Sequence, residues 1–431
     1  MNKSIFLKSS FYLLAVVLSS TLTGCNSQRD SEQLEFWTMQ LKPNFTEYFV
    51  NLNRNFEQQN DSTKIRWVDI PWSAMENKIL TSISAQTAPD VVNLNPKFAS
   101  QLATRNAWLN LETAVPPEIQ ATYLPKIWQA SVIEVCQENQ CSEQTFGLPW
   151  YLTTTITIYN QDLLTSAGVS KPPQTYAELA QAAKKVKQKT GKYAFFISFV
   201  PSDSGDVLES FPKMGANLID ESGKAAFNTK EGKAVFQYWV DLYQQKLLPP
   251  DVLTQGHRRG IELYQAGETA LLSSGAEFTD SITNNAPSIA KASKVAPQIT
   301  GKTGKKSVAV MNLVISRNSN KPEEALEYAL FVTDTENQLA FAQESNVLPS
   351  TSKAVEQYIK SLEEQDSLKQ QAKKVSATQL KDTEILIPAT KNIHILQQVI
   401  YENLQAAMLN KKTVDQAIQD AAKEWNSVKD N

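Results

Sequence analysis

Two kinds of side chain recur in this sequence near the ends of expected strands and in the segments that join them. Broad aromatic rings are supplied by Trp37, Trp72, Trp150 and Tyr151, and planar or carboxylate groups by Gln40, Asn93, Asn95, Asp203, Glu277 and Asn312. Rings stack on C–H faces while amides and carboxylates pair with hydroxyls, so the two sets together suit a neutral polyhydroxylated molecule such as a sugar. Each residue also has a plainer use: packing for a ring, a solvated loop for a polar group. Trp67, in an alternating strand pattern, and Trp239, on a helical face with Phe236 and Tyr243, are expected in the core. A single loop lysine, Lys42, reads as solvated.

Other chemistries find little to work with. The two histidines, His257 and His394, are far apart in the chain, which leaves metal-assisted hydrolysis unsupported. The stretch GKTGKKS, Gly301 to Ser307, fails the phosphate-loop pattern because Lys306 follows Gly304 and Lys305 and Ile299 stands where the earlier glycine belongs. It reads instead as a flexible basic hairpin. Glycoside cleavage needs only two carboxylates, but no acidic pair is singled out by its spacing. No catalytic residue, cofactor or metal is expected.

The elements that must position these groups follow from hydrophobic spacing. Leu34 to Thr38 reads as a strand, and Phe45, Phe49, Leu52 and Phe56 recur at helical steps behind it. Lys64 to Ile70, Trp72 to Gln86 and Pro89 to Asn95 continue the series as strand, helix and strand. That alternation implies a parallel sheet with crossover helices, and ligands gather beyond the carboxyl ends of such strands. Further on, Thr153 to Tyr159 reads as a strand, and Thr175 with Glu178 forms a capping box ahead of a strong helix former. Helices are expected over Glu231–Lys246, Arg258–Ala266, Pro322–Thr333 and Thr335–Glu344, and strands over Gly267–Gly275 and Val308–Ser316.

The amino terminus has its own chemistry. Lys3 and Lys8 precede an apolar run, Phe11 to Leu18, followed by small polar residues, the pattern of an export signal over residues 1–24. The run falls short of the about 20 apolar residues needed to span a bilayer. Leu22-Thr23-Gly24-Cys25 resembles the bacterial lipobox, which implies an acylated Cys25, a membrane lipid anchor and a polar tether over 25–33. In an oxidising compartment Cys136 and Cys141, with four residues between them, are expected to close a small disulfide loop. The chain carries 42 Lys and Arg against 45 Asp and Glu, so no basic face for nucleic acid is expected. Beyond Gly24 it is too long for one compact core and suits two lobes.

Several stretches, in order, resemble the extracellular solute-binding proteins of ATP-driven importers, the group that includes maltose-binding protein: APDVV at Ala88–Val92, GLPW at Gly147–Trp150, IYNQDLLTSAGVSKPPQTYAEL at Ile158–Leu179, YQAGETALLSSGAEF at Tyr264–Phe278, NKPEEALEYALFV at Asn320–Val332 and TVDQAI at Thr413–Ile418. The resemblance implies an α/β fold of two lobes (type II periplasmic-binding-protein fold), with parallel or mixed sheets flanked by helices and a ligand cleft between the lobes. It implies crossings near Trp150–Ile156, Ser274–Glu277 and Leu313–Asn318, with 34–150 and 276–314 in lobe 1 and 151–275 and 315–431 in lobe 2. Trp150 and Tyr151 would then lie beside the hinge. The implied function is an exported, monomeric, lipid-anchored protein facing the periplasm or cell exterior, which delivers a sugar or short oligosaccharide to membrane permease subunits. A polyol, a polyol phosphate, an osmolyte, a ligand-presenting sensor and a glycoside-acting enzyme are the alternatives. The chain departs from the family around Val308–Leu313, where the usual glycine pair is replaced, and at Gly275-Ala276-Glu277-Phe278, where an aromatic is moved by one position.

Overall fold

The structure, a computed structural model, describes residues 33–429 except 104, 138–139, 363–366 and 388–391, with backbone alone at 96–97, 134–137 and 140–141. The expected export signal, Cys25 and residues 25–32 of the tether lie outside the described residues, as do the side chains of Cys136 and Cys141.

In chain order the strands are β1 (Gln33–Met39), β2 (Lys64–Ile70), β3 (Val91–Leu94), β4 (Val132–Gln137), β5 (Gln140–Thr145), β6 (Leu148–Thr153) and β7 (Ile156–Asn160). They continue as β8 (Leu271–Ser274), β9 (Ser293–Ala296), β10 (Lys306–Ser307), β11 (Ala309–Ile315), β12 (Leu348–Pro349) and β13 (Thr383–Glu384). One sheet has the order β12-β6-β11-β3-β1-β2, and another the order β8-β7-β9. β1 runs parallel to β2 and β3, as the strand–helix alternation predicts, while β11 is antiparallel to both β3 and β6. The first sheet is therefore mixed.

The spacing of Phe49, Leu52 and Phe56 does form one buried stripe, on the helix Thr46–Gln59 against this sheet. The single strand expected over Thr153–Tyr159 is two strands in two sheets. β6 ends at Thr153 and β7 begins at Ile156, so Thr154 and Thr155 are the first passage between lobes.

The other two passages differ from the expectation. β9 pairs with β7, and Ile282 of the helix Phe278–Asn285 packs with Ile156, Ile158 and Leu272, so the chain stays with the second sheet through Ala296. Residues expected to open the second part of lobe 1 at 276 are thus held in lobe 2 by an apolar cluster, and the second passage runs between Ala296 and Lys306. Likewise, Ala325, Tyr328, Val332 and Phe341 of the helices Pro322–Val332 and Thr335–Glu344 pack into the core of the first sheet. The helix Leu368–Gln379 straddles the two lobes, with Ala372 packed against Ile156, Ile158 and Ile282 and Ala377 against Leu152 and Val310. Beyond it Leu380 still packs with Leu152, and the chain joins the lobe 2 core at Ile387 and in the helices Ile393–Met408 and Val414–Lys429, which pack with Lys230–Gln244. In both cases local periodicity was correct, and burial partners far along the chain decided the lobe. Trp239 is in the lobe 2 core and 1% exposed.

Candidate functional site

The strand directions fix which residues face the gap. β6 leads out to the first passage and β11 starts just after the second, so the carboxyl ends of β1, β2 and β3 lie on the edge of lobe 1 that faces lobe 2. That edge carries Gln40 to Lys42, Pro71 with Trp72, and Asn95. In lobe 2, β7 begins at the first passage and β8 is antiparallel to it, so Ser274 and the Gly275–Phe278 turn lie on the facing edge.

On lobe 1 a single carboxylate organises the rim. Asp69 Oδ1 accepts from Thr38 Oγ1 at 2.6 Å and from Leu41 N at 2.9 Å, and its Oδ2 accepts from Lys42 N at 2.9 Å. Gln40 takes a left-handed backbone, φ 53°, anchored by its N–H to Ile70 O at 3.0 Å, which leaves its side chain exposed at the tip. The Lys42 ammonium, expected to be merely solvated, stands 4.3 Å over the Trp67 ring, where the ring quadrupole attracts it. Trp72 opens the helix Trp72–Ser84 and is 45% exposed, an unusual degree for so large a ring.

Five of the expected binding residues are instead structural. Trp37 is buried, donates from Nε1 to Glu35 Oε1 at 2.6 Å and lies under the Lys78 ammonium. Trp150 is 1% exposed and stacks on Phe341 with centroids 5.3 Å apart, while Tyr151 packs edge-on against the same ring, its hydroxyl pushed above the usual phenol range by burial. Asn93 and Asn312 are buried between β3 and β11, with Asn312 Oδ1 accepting from Ser131 Oγ at 2.8 Å. These strands are central, and every residue of β3 and all of β11 after Ala309 are buried, so alternation gives their side chains no outlet to the cleft. Asn95 lies at the edge but caps the helix Pro96–Ala103, its Oδ1 accepting from Phe98 N at 2.9 Å.

The lobe 2 wall holds the remaining two expected residues and several that sequence reasoning missed. Asp203 Oδ2 accepts from His257 N at 2.7 Å, at the positive end of the helix His257–Gln265. The His257 ring meets Ser274 Oγ through Nε2 at 3.1 Å. Glu277 folds back over Gly275, where a Cβ would collide with its carboxyl group. Burial raises the pKa of Glu277, while its backbone N–H and His257 pull it down.

Behind this wall is a pocket of about 70 Å³, room for several waters or for the few heavy atoms at one end of a solute. Tyr176, Phe196 and Trp239 give it aromatic surface, and Asp206, Glu209 and Lys213 give it charge. Burial, then Glu209, holds the Asp206 carboxyl above the usual range, against the pull of His257, Lys213 and the Ser204 hydroxyl. Lys213 is 6% exposed and pairs with Glu209 at 3.0 Å. The one signal in the sequence for this pocket is the i,i+4 spacing of Glu209 and Lys213, which occurs on many solvated helices.

A family model for bacterial extracellular solute-binding proteins matches residues 41–339. This chain belongs to that family. Proteins of the family and the relatives below are substrate-binding proteins of ABC transporters, not enzymes, and the fold is the type II periplasmic-binding-protein fold. A Synechococcus sp. MITs9220 protein, provisionally described as an oligosaccharide periplasmic-binding protein, is 41% identical, with 92% of this chain and 98% of that one covered at a TM-score of 0.84. A galactooligosaccharide-binding protein of Bacillus subtilis is 22% identical over 360 residues, 80% of each chain. Maltose-bound T. maritima MalE3 is 22% identical and shares the fold, with 92% of this chain and 99% of that one covered at a TM-score of 0.71.

Proposed function

We propose that this solute-binding protein captures a sugar or short oligosaccharide between its lobes, closes on it by a hinge motion, and delivers it to the permease of an ABC importer. The observation that carries the reading is the carboxyl-lined, aromatic-walled pocket of lobe 2, which Thr155 and Gln298 of the passages also line, together with an exposed indole and amide (Trp72, Gln40) at the strand ends of lobe 1. Rings for C–H faces and acceptors for hydroxyls are what a sugar requires. The relatives named for arabinooligosaccharide and galactooligosaccharide binding point the same way. A ligand that touches both lobes favours the closed state by its differential affinity for it.

Export and acylation of Cys25 would hold the monomeric chain on a membrane surface near the permease. The test is a thermal-shift screen of the full-length protein against mono-, di- and trisaccharides, with mannitol and a polyol phosphate alongside. A ligand at about 100 times its Kd stabilises by about 2.7 kcal/mol, a clear rise in Tm. A rise with a neutral saccharide supports the reading. A rise with mannitol alone favours the polyol alternative, to which a mannitol-binding protein of Pseudomonas aeruginosa, 21% identical over 230 residues, lends support. No rise with any saccharide or polyol overturns both.

A further inference from the structure

The three passages between the lobes are joined to one another by two buried glutamines. Gln379, the last residue of the helix Leu368–Gln379, donates from Nε2 to Thr154 Oγ1 at 3.0 Å and to Thr155 O at 2.8 Å, both on the first passage. Its Oε1 accepts from the backbone N–H of Gln298, on the second passage, at 3.2 Å. Gln298 then ties the two ends of its own passage together: its Nε2 donates to Ser307 O at 2.7 Å, and its Oε1 accepts from Ser307 N at 2.9 Å and Ser307 Oγ at 3.1 Å. Gln379 itself stands at the start of the third passage. Thr154, Gln298, Ser307 and Gln379 are each 4–5% exposed, and both glutamine side chains have their donors and acceptors engaged.

This network is also a wall of the pocket. Lys213 Nζ donates to Gln298 Oε1 at 3.2 Å as well as to Glu209, and Gln298 and Thr155 both line the pocket. A group that enters there meets side chains one hydrogen bond away from the pivot.

We propose that Gln379 is the positioning residue of the hinge: without touching solute, its amide holds the first and second passages to the start of the third, so that the lobes rotate about one axis. The proposal rests on the solute-capture reading above. Its physical basis is the cost of breaking a satisfied buried network. Without the amide, the buried Gln298 N–H and the part-buried Thr155 C=O lose their partner, and such groups recruit water or shift to find another.

The test needs no solute. Full-length protein carrying spin labels on bioorthogonal side chains at Asn55 in lobe 1 and Lys184 in lobe 2 reports the lobe-to-lobe distance distribution. Gln379→Met keeps the length of the side chain and loses all three amide hydrogen bonds. The expected result is a broadened distribution and loss of hydrogen-exchange protection at the Gln298 and Ser307 amides, with a single cooperative melt retained. If Gln379→Met gives the wild-type distribution, or if only Gln379→Ala broadens it, the amide is not the positioning element and the proposal fails. Should Gln379→Met not fold, Thr154→Val and Ser307→Ala each remove part of the network and must broaden the distribution in its place. A failure of the sugar reading shows separately, as a wild-type protein that responds to no saccharide.

Discussion

At the scale of residues, two tryptophans that look alike in sequence have opposite uses. Trp72 is exposed on the cleft edge, whereas Trp150 is stacked between Phe341 and its neighbours. Trp72→Ala should weaken sugar binding by about 1 kcal/mol, close to the worth of one aromatic contact, with little change in Tm. Trp150→Ala should cost about 3–5 kcal/mol of stability, since it opens a large hole in a packed core. Isothermal titration paired with denaturant unfolding separates the two; an equal affinity loss without destabilisation at Trp150 would return it to the site. Asp206 carries the pH argument. Its pKa is raised in the folded chain, so between the ordinary carboxylate value and that raised value the folded state holds a proton the unfolded state has released, and stability falls as pH rises through the window. Asp206→Asn should therefore raise Tm at neutral pH, and the gain should shrink as pH falls through that window and vanish below the ordinary carboxylate value. A gain that is constant with pH would show that charge is not its cause.

At the scale of elements, function depends on turns that single side chains hold in place. Asp69 alone accepts three hydrogen bonds from Thr38, Leu41 and Lys42. Asp69→Ala should strip hydrogen-exchange protection from the Leu41 and Lys42 amides and reduce sugar affinity through Gln40, while β1 itself stays protected. Retained protection at both amides would show that the turn needs no clasp. The β4–β5 hairpin makes a second case. Cys136 and Cys141 are direct cross-strand partners, next to the closing pair Gln137 and Gln140. In a hairpin whose closing pair is hydrogen-bonded, the next pair is not, and its Cα atoms come to about 4.5 Å, within disulfide range. The exported protein should thus take up alkylating label at these two cysteines only after reduction. Labelling without reductant would refute the bridge.

At the scale of the whole molecule, two cores of different make-up are joined by three short passages, and ligand energy must appear as a change in the angle between them. Saturating sugar should therefore compact the protein in small-angle scattering and raise the melting temperature of both lobes together. A rise confined to one lobe would mean that the solute does not bridge the cleft.

The sequence by itself determined the local elements and the family. Strand–helix alternation from Leu34 to Asn95, the capping box at Thr175 and the ordered family stretches are properties of near neighbours in the chain, and periodicity records them directly. What only the tertiary structure decided was which side chains reach the cleft and which lobe each late segment joins. Trp150, Asn93 and Asn312 sit in strands of the right kind, but side chains from distant parts of the chain, such as Phe341 against Trp150 and Ser131 against Asn312, bury them. Residues 276–296 and 315–344 have the right elements, but their apolar faces found partners in the lobe opposite to the one expected. The pocket of Asp206, Glu209 and Lys213 and the pivot at Gln298 and Gln379 leave almost no pattern in the chain, because each brings together residues separated by tens to hundreds of positions. Such contacts follow from packing geometry, which one-dimensional spacing does not encode.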